Sequence, residues 1–497
     1  MIYVLTPEQM RAADAQTIAR TGAIELMSNA GAAIAERLRA IAPPGTRVVA
    51  VAGPGNNGGD AFCALAELAV EYDCTVAEDP AAVGSEARVA ARARAAAAGV
   101  GIIALPAGER EARALLQNVI GVDGMFGTGA RLPLPEGYRH LARALDARER
   151  TVVAIDIPSG IDALTGAVGE DAVRATLTVT LAAAKPGLLL EPAREYVGEL
   201  FCAQIGIPQT TLAAQPRTFA ALDDAAFTAL LPRRAADTDK RGAGAPLIVA
   251  GSAQFPGAAI LCTRAAARAG AGYVTVATPG SAAAALRAHL VEQVVVELSD
   301  AAEPAAIAQE LVDISRHNGA IAIGPGLGLD ERTAEIFTLF LAANRLPIVV
   351  DASGLFHLSK HLDLLRDRPA VVTPHAGEFA RLSGLGTIAP GTRVDRIREF
   401  VDRTKITTLL KGSDTLIYDG TTVNINTTGT NALATAGTGD VLTGIIATLL
   451  SQGLSPVQAA CAGAYWHGLA GRAAARKRRV GVVAGDVVEA LSDALPR

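Results

Sequence analysis

Two clusters in the 497-residue chain combine glycines with acidic and amide side chains in a spacing that could carry chemistry. The first is GPGNNGGD at 53–60, which follows the apolar run TRVVAVAG at 46–53. Its glycines permit positive φ and close backbone approach, and exposed amides at a following helix start would favour an anion such as phosphate. The spacing differs from both GxGxxG and a Walker A loop. A tight strand-to-helix turn is the alternative, but two asparagines and an aspartate favour a binding site.

Two more loops with acidic residues follow apolar runs, DGMFGTG at 123–129 and DIPSGID at 156–162. Because the carboxyl ends of parallel strands meet at one edge of a sheet, these loops would bring Asn57, Asp123, Asp156 and Ser159 to the same face. Oxygen ligands of this kind suit a hard cation. Each aspartate alone is also a common turn or cap residue, although chance capping in all three loops is the weaker explanation.

The second cluster is NALATAGTGD at 431–440, which precedes a helical run. Its small residues can expose several backbone N–H groups at a helix start and so form an anion hole for a transferring phosphoryl group. Asp440 could take a proton from a substrate hydroxyl, as a positioned carboxylate does in kinases. The alternative is a glycine-rich cap with an aspartate where the helix dipole favours it.

These loops need regular elements to position them, and the sequence alternates apolar strands with helical stretches throughout. Continuous apolar runs that alternate with helices are typical of parallel sheets covered on both faces. Residues 7–41 are predicted to be helical, and a polar, proline-containing stretch at 209–217 is predicted to be a linker. The chain is therefore expected to be α/β, with one domain at 1–212 and a second at 218–497.

Composition narrows the function classes. The formal net charge of −5 argues against a nucleic-acid surface. No segment has the ~18 consecutive apolar residues of a membrane span, and the N-terminal sequence lacks the pattern of a signal peptide. The five cysteines include no CxxC pair, which favours reduced thiols over a disulfide framework or a zinc site. A soluble cytoplasmic protein is expected.

The motifs of the first half resemble those of the YjeF N-terminal domain, the NAD(P)H-hydrate epimerase. They are GPGNNGGDAF, VDGMFGTG, AIDIPSGIDALTG and KPGL, within roughly 1–212. The resemblance implies a Rossmann-like three-layer fold that binds hydrated NADH or NADPH (NADHX and NADPHX) and K⁺. The implied substrate contacts are Asn56, Asn57, Gly58, Gly59, Asp60, Gly127, Thr128, Gly129, Ala130, Arg131, Leu132, Pro133 and Asp156. The implied K⁺ contacts are Asn57, Asp123 and Ser159.

Epimerisation at C6 of a hydrated nicotinamide ring requires proton movement around a hemiaminal, and a positioned carboxylate can act as acid or base. Asp156 is predicted to be that carboxylate. Lys185 of the KPGL motif has two interpretations. It could assist the proton transfer, or it could mark a solvated turn.

In the second half, GTGD resembles the GxGD signature of ribokinase-like enzymes. The surrounding motifs, which include GSAQFPGAAILC, IGPGLG, VVDASGLF, TPHAGEFARL, LLKGSDTLI and ALATAGTGDVLTGIIA, resemble the YjeF C-terminal domain, the ADP-dependent NAD(P)H-hydrate dehydratase. The match covers roughly 220–497 and implies a ribokinase-like α/β domain that uses ADP and Mg²⁺. The implied substrate contacts are Ala258, Gly326, His375 and Asp440, and the implied nucleotide contacts are Lys411, Gly412, Ser413, Asp414, Thr415 and Gly439.

Three positions of this half keep an alternative interpretation. His375 could contact substrate or brace its loop, and Glu378 could position Mg²⁺ or water, or serve as a helix-start carboxylate. Lys411 could approach nucleotide phosphates or lie at the surface. The chain also departs from the family twice, with DKR at 239–241 in place of His-Lys-Gly and DAS at 351–353 in place of a DAD-type sequence.

The expected function is bifunctional repair of hydrated nicotinamide nucleotides. The epimerase would interconvert the R and S hydrates, and the dehydratase would return the S form to NADH or NADPH with release of AMP and phosphate. Homo-oligomerisation is compatible with the resemblance. One rival function is a small-metabolite kinase of the ribokinase type, which leaves the first half without a purpose. The other treats the first half as a nucleotide-sensing module that needs no Asp156 for turnover.

Overall fold

The computed structural model of the chain describes residues 2–146, 148–389, 391–478 and 480–496. Two compact units divide the chain, Ile2–Phe219 and Ala220–Arg497, and each has its own buried apolar core. The predicted linker at 209–217 begins as a short helix with Leu212 buried in the first core. The limits 1–212 and 218–497 stay a prediction.

The N-terminal unit alternates strands and helices. Its strands are β1 Ile2–Val4, β2 Arg47–Ala52, β3 Asp73–Glu78, β4 Gly101–Ala104, β5 Ile120–Gly124, β6 Val152–Ile155, β7 Leu177–Leu181 and β8 Glu199–Ala203. Its helices are α1 Pro7–Thr21, α2 Ala23–Ile41, α3 Asn56–Leu68, α4 Glu86–Ala97, α5 Glu109–Leu115, α6 Glu136–Ala144, α7 Pro186–Leu189, α8 Arg194–Val197 and α9 Gln209–Ala213. The helices predicted at 7–41 are thus α1 and α2.

Seven of these strands form a parallel sheet in the order β4-β3-β2-β5-β6-β7-β8. Residues 48–52 of β2 and all of β6 are buried, as expected for strands covered on both faces. The chain runs outward from β2 to β4 and then restarts at β5 on the other side. Strand order therefore reverses between β2 and β5, and ligands bind outside the carboxyl ends of strands at such a reversal.

The C-terminal unit is also α/β. Its strands are β9 Phe219–Ala221, β10 Pro246–Val249, β11 Thr275–Pro279, β12 Val294–Leu298, β13 Ala320–Ile323, β14 Ile348–Val350, β15 Ala370–Val372, β16 Thr407–Leu410, β17 Leu416–Tyr418 and β18 Val423–Ile425. Its helices are α10 Asp224–Leu230, α11 Pro256–Arg268, α12 Gly280–His289, α13 Pro304–Ser315, α14 Glu331–Ala343, α15 Ser353–Leu358, α16 Ala376–Ser383, α17 Arg393–Thr404, α18 Thr438–Ser451, α19 Pro456–Lys477 and α20 Ala484–Ala490.

Neighbouring strands of this unit follow the order β18-β17-β16-β15-β14-β13-β10-β11-β12. Seven neighbouring strands are parallel, in the spatial order β16, β15, β14, β13, β10, β11 and β12. Strands β17 and β18 add an antiparallel hairpin beside β16. Strand order reverses between β10 and β13, so this sheet has a ligand-binding edge of its own. The predicted α/β class with parallel sheets is confirmed for both halves.

Helix α18 follows the GTGD motif and is buried along nearly its whole length. It packs against α11, where Gly444 lies so close to the backbone of Cys262 that an added Cβ would come within 2.2 Å of the Cys262 carbonyl oxygen. This packing holds the start of α18 at the carboxyl edge of the sheet. In the part of the chain that is described, no helix has both the length and the apolar character needed to cross a membrane.

Candidate active sites

The loop after β2 is shaped by close backbone contacts that only glycine permits. An added Cβ at Gly53 would lie 1.7 Å from the Met125 carbonyl oxygen, and one at Gly58 would lie 2.1 Å from the Gly53 carbonyl oxygen. The Gly53 amide also donates to Gly124 at 3.0 Å. These contacts lock the loop after β2 against the end of β5 and fix the start of α3.

Asp123 and Ser159 form a buried hydrogen-bonded pair at the ends of β5 and β6. The Ser159 hydroxyl and amide each donate to the Asp123 carboxylate at 2.7 Å, and the Met125 amide donates at 3.1 Å. The Asp123 side chain is fully buried, and burial raises its pKa to about 6 although the hydrogen bonds from Ser159 and Met125 lower it. Its partners are neutral donors, so the carboxylate charge lacks a cationic neighbour among these contacts.

Asp156 is held in a left-handed conformation, with φ at 63°. Its Oδ1 accepts from the Leu181 amide at 3.1 Å and the Thr180 hydroxyl at 3.3 Å, and Lys185 Nζ forms an ion pair with the same oxygen. Lys185 is 1% exposed and also donates to the Leu181 carbonyl at 2.9 Å. The interpretation of Lys185 as a solvated turn residue is therefore wrong, because its ammonium group is buried against Asp156.

The other carboxylate oxygen of Asp156 faces the loop after β5. A Cβ at Gly127 would lie 3.4 Å from Asp156 Oδ2 and 3.3 Å from Asn57 Oδ1. Asn57 is 8% exposed, and its Nδ2 has no hydrogen-bond partner among the described residues. Asn57 and Asp156 thus approach the same glycine from two different strand ends.

A cavity of about 750 Å³ opens beside these residues within the N-terminal unit. The predicted residues that line it are Asn56, Asn57, Asp60, Gly127, Thr128, Gly129, Ala130 and Asp156, together with Lys185. Gly58 and Gly59 lie behind its wall, with an added Cβ at Gly59 only 2.5 Å from Met27 Sδ. Arg131, Leu132 and Pro133 follow Ala130 without reaching the cavity, so the substrate contacts predicted for these five residues have no support from the cavity lining.

Polar cavity residues at two helices were not predicted from the sequence. Helix α1 contributes a stripe that contains Met10, Asp14 and Ile18, and the start of α4 contributes Ser85 and Glu86. The four-residue spacing of an acid between two apolar residues on one helix face was the available signal for Asp14. The Ser85 hydroxyl donates to Asn56 Oδ1 at 2.9 Å, a tertiary contact that no local pattern indicates.

In the C-terminal unit, the GTGD motif forms the first turn of α18. Gly437 is its N-cap with φ at 88°, a conformation that favours glycine. The Thr438 hydroxyl donates to the carbonyls of Leu433 at 2.8 Å and Thr435 at 3.0 Å, which folds the preceding segment back over the helix start. The backbone N–H groups of this turn lack intrahelical partners and suit an anion.

Asp440 lies in a network of ionisable residues at this helix start. Asp351, 1% exposed, accepts from Lys411 Nζ at 2.8 Å and from the Thr443 hydroxyl at 2.7 Å. Burial, Asp351 and Glu378 together raise the pKa of Asp440 to about 7, against the opposing effect of Lys411. A carboxylate poised near neutral pH suits a general base.

Lys411 is not a surface lysine, so that alternative is wrong. Burial lowers its pKa, but Asp351 and Glu378 outweigh burial and leave the pKa raised. Glu378 Oε2 lies 3.7 Å from Lys411 Nζ, and an added Cβ at Gly439 would lie 3.4 Å from the same Nζ. Lys411 therefore keeps its charge directly beside the start of α18.

His375 and Glu378 cap helix α16 reciprocally. His375 Nδ1 accepts from the amides of Gly377 at 3.0 Å and Glu378 at 3.3 Å, while Glu378 Oε2 accepts from the His375 amide at 2.8 Å. These hydrogen bonds show that His375 braces its loop and that Glu378 is a helix-start carboxylate. The His375 side chain is 61% exposed, which leaves its ring accessible to a ligand.

The predicted nucleotide loop at 411–415 is a braced turn. The Thr415 hydroxyl donates to the Gly412 carbonyl at 2.7 Å. Arg393 pairs with buried Asp414 at 2.9 Å and donates to the Lys411 carbonyl at 3.2 Å. Asp414 is therefore turned into the protein, whereas Gly412 and Ser413 are exposed. Arg393 was missed because it lies on α17, distant in sequence.

Ala258 and Gly326 are neighbours, as their predicted shared role requires. A Cβ at Gly326, where φ is 68°, would lie 3.0 Å from Ala258 Cβ. On the same helix as Ala258, Leu261 packs on Gly437, and this links the pair to the start of α18. A cavity of about 380 Å³ begins beside Gly326 at Leu327 and is mainly apolar. It does not include Asp440, so the ionisable network lies outside it.

Comparison with known proteins gives the class for each half. Residues 246–493 match the family described as NAD(P)H-hydrate dehydratase, and residues 23–187 match the family described as YjeF-related protein N-terminus. A bifunctional NAD(P)H-hydrate repair enzyme of Moorella thermoacetica is 36% identical over 99% of this chain and 96% of its own length. One of Pyrobaculum aerophilum is 36% identical over 95% of this chain and 94% of its own length. The chain belongs to the family of bifunctional NAD(P)H-hydrate repair enzymes.

A solved ribokinase-like structure agrees on the fold of the second half. A ribokinase-like superfamily protein of Enterococcus faecalis is similar, with a TM-score of 0.50 and 29% identity over 56% of this chain and 96% of its own. An ADP/ATP-dependent NAD(P)H-hydrate dehydratase of Bacillus subtilis, co-crystallised with ATP and Mg²⁺, gives a TM-score of 0.48 and 28% identity over 56% of this chain and 97% of its own. Similarity across both halves to bifunctional enzymes disfavours the two rival functions, a small-metabolite kinase and a sensing module.

Proposed function

We propose that this chain restores hydrated NADH and NADPH through two activities. The N-terminal unit interconverts the R and S hydrates, and the C-terminal unit dehydrates the S hydrate with ADP, releasing AMP and phosphate. The observation that carries the proposal is the similarity of both halves of one chain to bifunctional NAD(P)H-hydrate repair enzymes. NADHX, NADPHX and ADP are the proposed small-molecule substrates.

The epimerase reaction is assigned to the cavity beside Asp156. Its volume of about 750 Å³ falls within the usual range of ligand sites, roughly 300–1,000 Å³. Asp156 Oδ1 is fixed by Lys185, and Oδ2 faces Gly127 at the cavity. With one oxygen fixed and the other toward the cavity, Asp156 would act first as the base that accepts the proton of the C6 hydroxyl.

The donor set near this cavity fits K⁺. Asp123 is a fully buried carboxylate that accepts from neutral donors, and Nδ2 of Asn57 has no partner within the described residues. A half-turn of the Asn57 amide would present its oxygen instead of its nitrogen. Asn57, Asp123 and Ser159 would hold the ion, which when bound supplies positive charge to a buried acidic site.

The dehydration is assigned to the start of α18. Asp440 removes the proton of the C6 hydroxyl, whose oxygen then bonds to the terminal phosphorus of ADP as the bond to the AMP oxygen breaks. The phosphate next leaves C6 with the electron pair of the C–O bond, and loss of a proton from C5 restores the ring double bond. The exposed amides of the α18 turn and the ammonium group of Lys411 stabilise the charge on the transferring phosphoryl group.

The site fits Mg²⁺ as a nucleotide-bound ion rather than as a protein-caged one. Mg²⁺ is usually held by one or two carboxylates plus substrate phosphates. Among the described residues, no group of three or more His, Cys, Asp or Glu forms a cage. Glu378 would hold the ion, which when bound neutralises phosphate charge.

The proposal also includes a cytoplasmic location, which is supported by five unpaired cysteines.

The test is recovery of reduced-nicotinamide absorbance from a mixture of R and S hydrated NADH with Mg²⁺, K⁺ and either ADP or ATP. Complete recovery with ADP, together with one AMP and one phosphate per NADH formed, is expected. Recovery limited to the S fraction would refute the epimerase, and a stable phosphorylated product without recovery would refute the dehydratase.

A further inference from the structure

Two carboxyl groups that line the epimerase cavity are buried or half-buried and have no bonded partner within the described residues. Asp60 lies on α3 and is 7% exposed, and Asp14 lies on α1 across from it. Within the described residues, neither carboxyl group takes part in a hydrogen bond or an ion pair. Asp156 lines the same cavity but is fixed by Lys185 and two further donors. Apart from the exposed Glu86, the cavity lining therefore holds one anchored carboxylate and two carboxyl groups without a bonded partner in the described residues.

The lack of bonded partners at Asp60 and Asp14 affects the protonation of these two groups. A buried carboxyl group without partners favours the neutral form. Burial, the charge of Asp156 and the charge of Asp14 raise the pKa of Asp60 well above its usual value, against the opposing effect of Lys185. Burial likewise raises the pKa of Asp14 to about 6, with Lys185 opposing and Asp156 adding. The remaining charged residues at the cavity wall, Arg11 and Glu86, carry opposite signs.

We propose that Asp60 is the general acid of the epimerase, opposite Asp156 as base, and that Asp14 is a positioning residue that keeps Asp60 protonated. Pairs of titratable groups whose environments separate them in this way divide the roles of acid and base. This inference rests on the proposed epimerase activity, because it assigns a second proton-transfer residue to that reaction.

The step is a reversible ring opening of the C6 hemiaminal. Asp156 accepts the hydroxyl proton as the C6–O bond becomes a carbonyl and the C6–N1 bond breaks. Asp60 donates its proton to N1, which takes the bonding electron pair. After rotation about C5–C6, N1 attacks the opposite face of the carbonyl, Asp60 recovers its proton and Asp156 returns its own to the oxygen. Both residues end in their starting states, and no further reactant is needed.

The first test is the Asp60→Asn variant, measured on the pure R hydrate with the dehydratase in excess. Loss of the acid is expected to lower kcat for epimerisation on the order of 10²-fold, the lower end for general acid catalysis. A residue that only contacts substrate would change KM and leave kcat. A kcat within twofold of the wild type would overturn the proposal. Dehydration of the pure S hydrate by the same variant serves as its internal activity standard.

The second test is the pH profile of the Asp14→Asn variant, with Glu8→Gln as the matched control on an exposed position of the same helix. An acid must be protonated, so kcat/KM falls as pH rises through the pKa of Asp60. Loss of the negative charge of Asp14 lowers that pKa, and the alkaline limb is expected to move down by roughly one pH unit. The control profile should match the wild type.

An unmoved alkaline limb in Asp14→Asn would contradict the role of Asp14, and a shift of equal size in Glu8→Gln would contradict its specificity. The proposed function fails separately: a wild-type chain that does not epimerise the R hydrate refutes the epimerase itself. A wild type that epimerises, beside an Asp60→Asn variant of equal kcat, refutes only the inference.

Discussion

At the residue scale, the ion pair between Lys185 and Asp156 defines the epimerase site most closely. Lys185 is the only lysine among residues 1–219, where arginine supplies all other permanent cations. A lysine keeps a compact ammonium group that fits between Asp156, Thr180 and the Leu181 carbonyl. This buried lysine therefore orients Asp156, the proposed base of the epimerase.

Replacement of Lys185 by Met should remove this orientation while keeping most of the apolar stem. Because Asp156 would lose the ammonium group that fixes its Oδ1, the epimerase kcat is expected to fall on the order of 10²-fold. Epimerisation of the R hydrate measures the loss. Lys477→Met, which breaks an exposed pair with Asp493, is the control and should keep the wild-type rate. Equal rates in the two variants would argue against a role for Lys185.

Asp440 gives a prediction for the other site. As the proposed base, Asp440 must be ionised to act. The dehydratase kcat/KM should therefore be highest above pH about 7 and fall as the pH drops through that value. A pH series on the pure S hydrate measures this acid limb. Asp440→Asn should lower kcat by on the order of 10²-fold or more at every pH and abolish the limb. An acid limb that survives in the variant would assign the base to another residue.

At the element scale, the loop after β2 is held from two sides. Its backbone meets the end of β5 at Gly53, and Gly58 packs on the Gly53 carbonyl. Arg88 of α4 donates to the same carbonyl at 3.0 Å. Arg88 is 2% exposed and paired with Glu78 at 3.0 Å, so the brace is itself buried. The loop, the start of α3 and the start of α4 therefore form one rigid wall of the cavity.

Gly58→Ala tests that wall. The new Cβ would lie 2.1 Å from the Gly53 carbonyl oxygen, and because this atom belongs to the backbone the loop itself must shift. We expect a loss of stability of about 1–3 kcal/mol and a raised KM for the R hydrate. Thermal unfolding and epimerase kinetics measure the two effects. Gly137→Ala is the control, since its Cβ meets nothing within 4 Å, and equal behaviour of the two variants would contradict the close-packed loop.

The sequence predicted the strand-and-loop units and most of the polar residues that end them, because parallel strands place such residues at one edge by geometry alone. It left Lys185 and Lys411 undecided, since burial of a lysine depends on residues far along the chain, such as Asp156 and Asp351. Asp14 and Arg393 were missed for the same reason: each lies on a helix whose partner loop is distant in sequence. Gly58 and Gly59 stay predicted substrate contacts, and their lack of side chains also serves packing, which the sequence did not indicate.

At the scale of the whole molecule, the two units have separate cores, and the proposed proton-transfer residues divide between them. Asp156 and Asp60 belong to the first unit, and Asp440 and Lys411 belong to the second. Asp440→Asn is therefore expected to keep wild-type epimerase activity, measured by chromatographic separation of the R and S hydrates without nucleotide. A loss of epimerisation in this variant would contradict independent sites.

The measurement that tests the central claim most directly compares the wild type with Asp156→Asn on an equal mixture of R and S hydrated NADH with ADP and Mg²⁺. The reduced-nicotinamide absorbance should return completely with the wild type. With Asp156→Asn it should return at the wild-type rate for the S half and then stop, apart from the slow uncatalysed epimerisation of the R half. Complete recovery by Asp156→Asn at the wild-type rate would contradict the role of Asp156 as base. Recovery of only the S half by the wild type would contradict two activities in one chain.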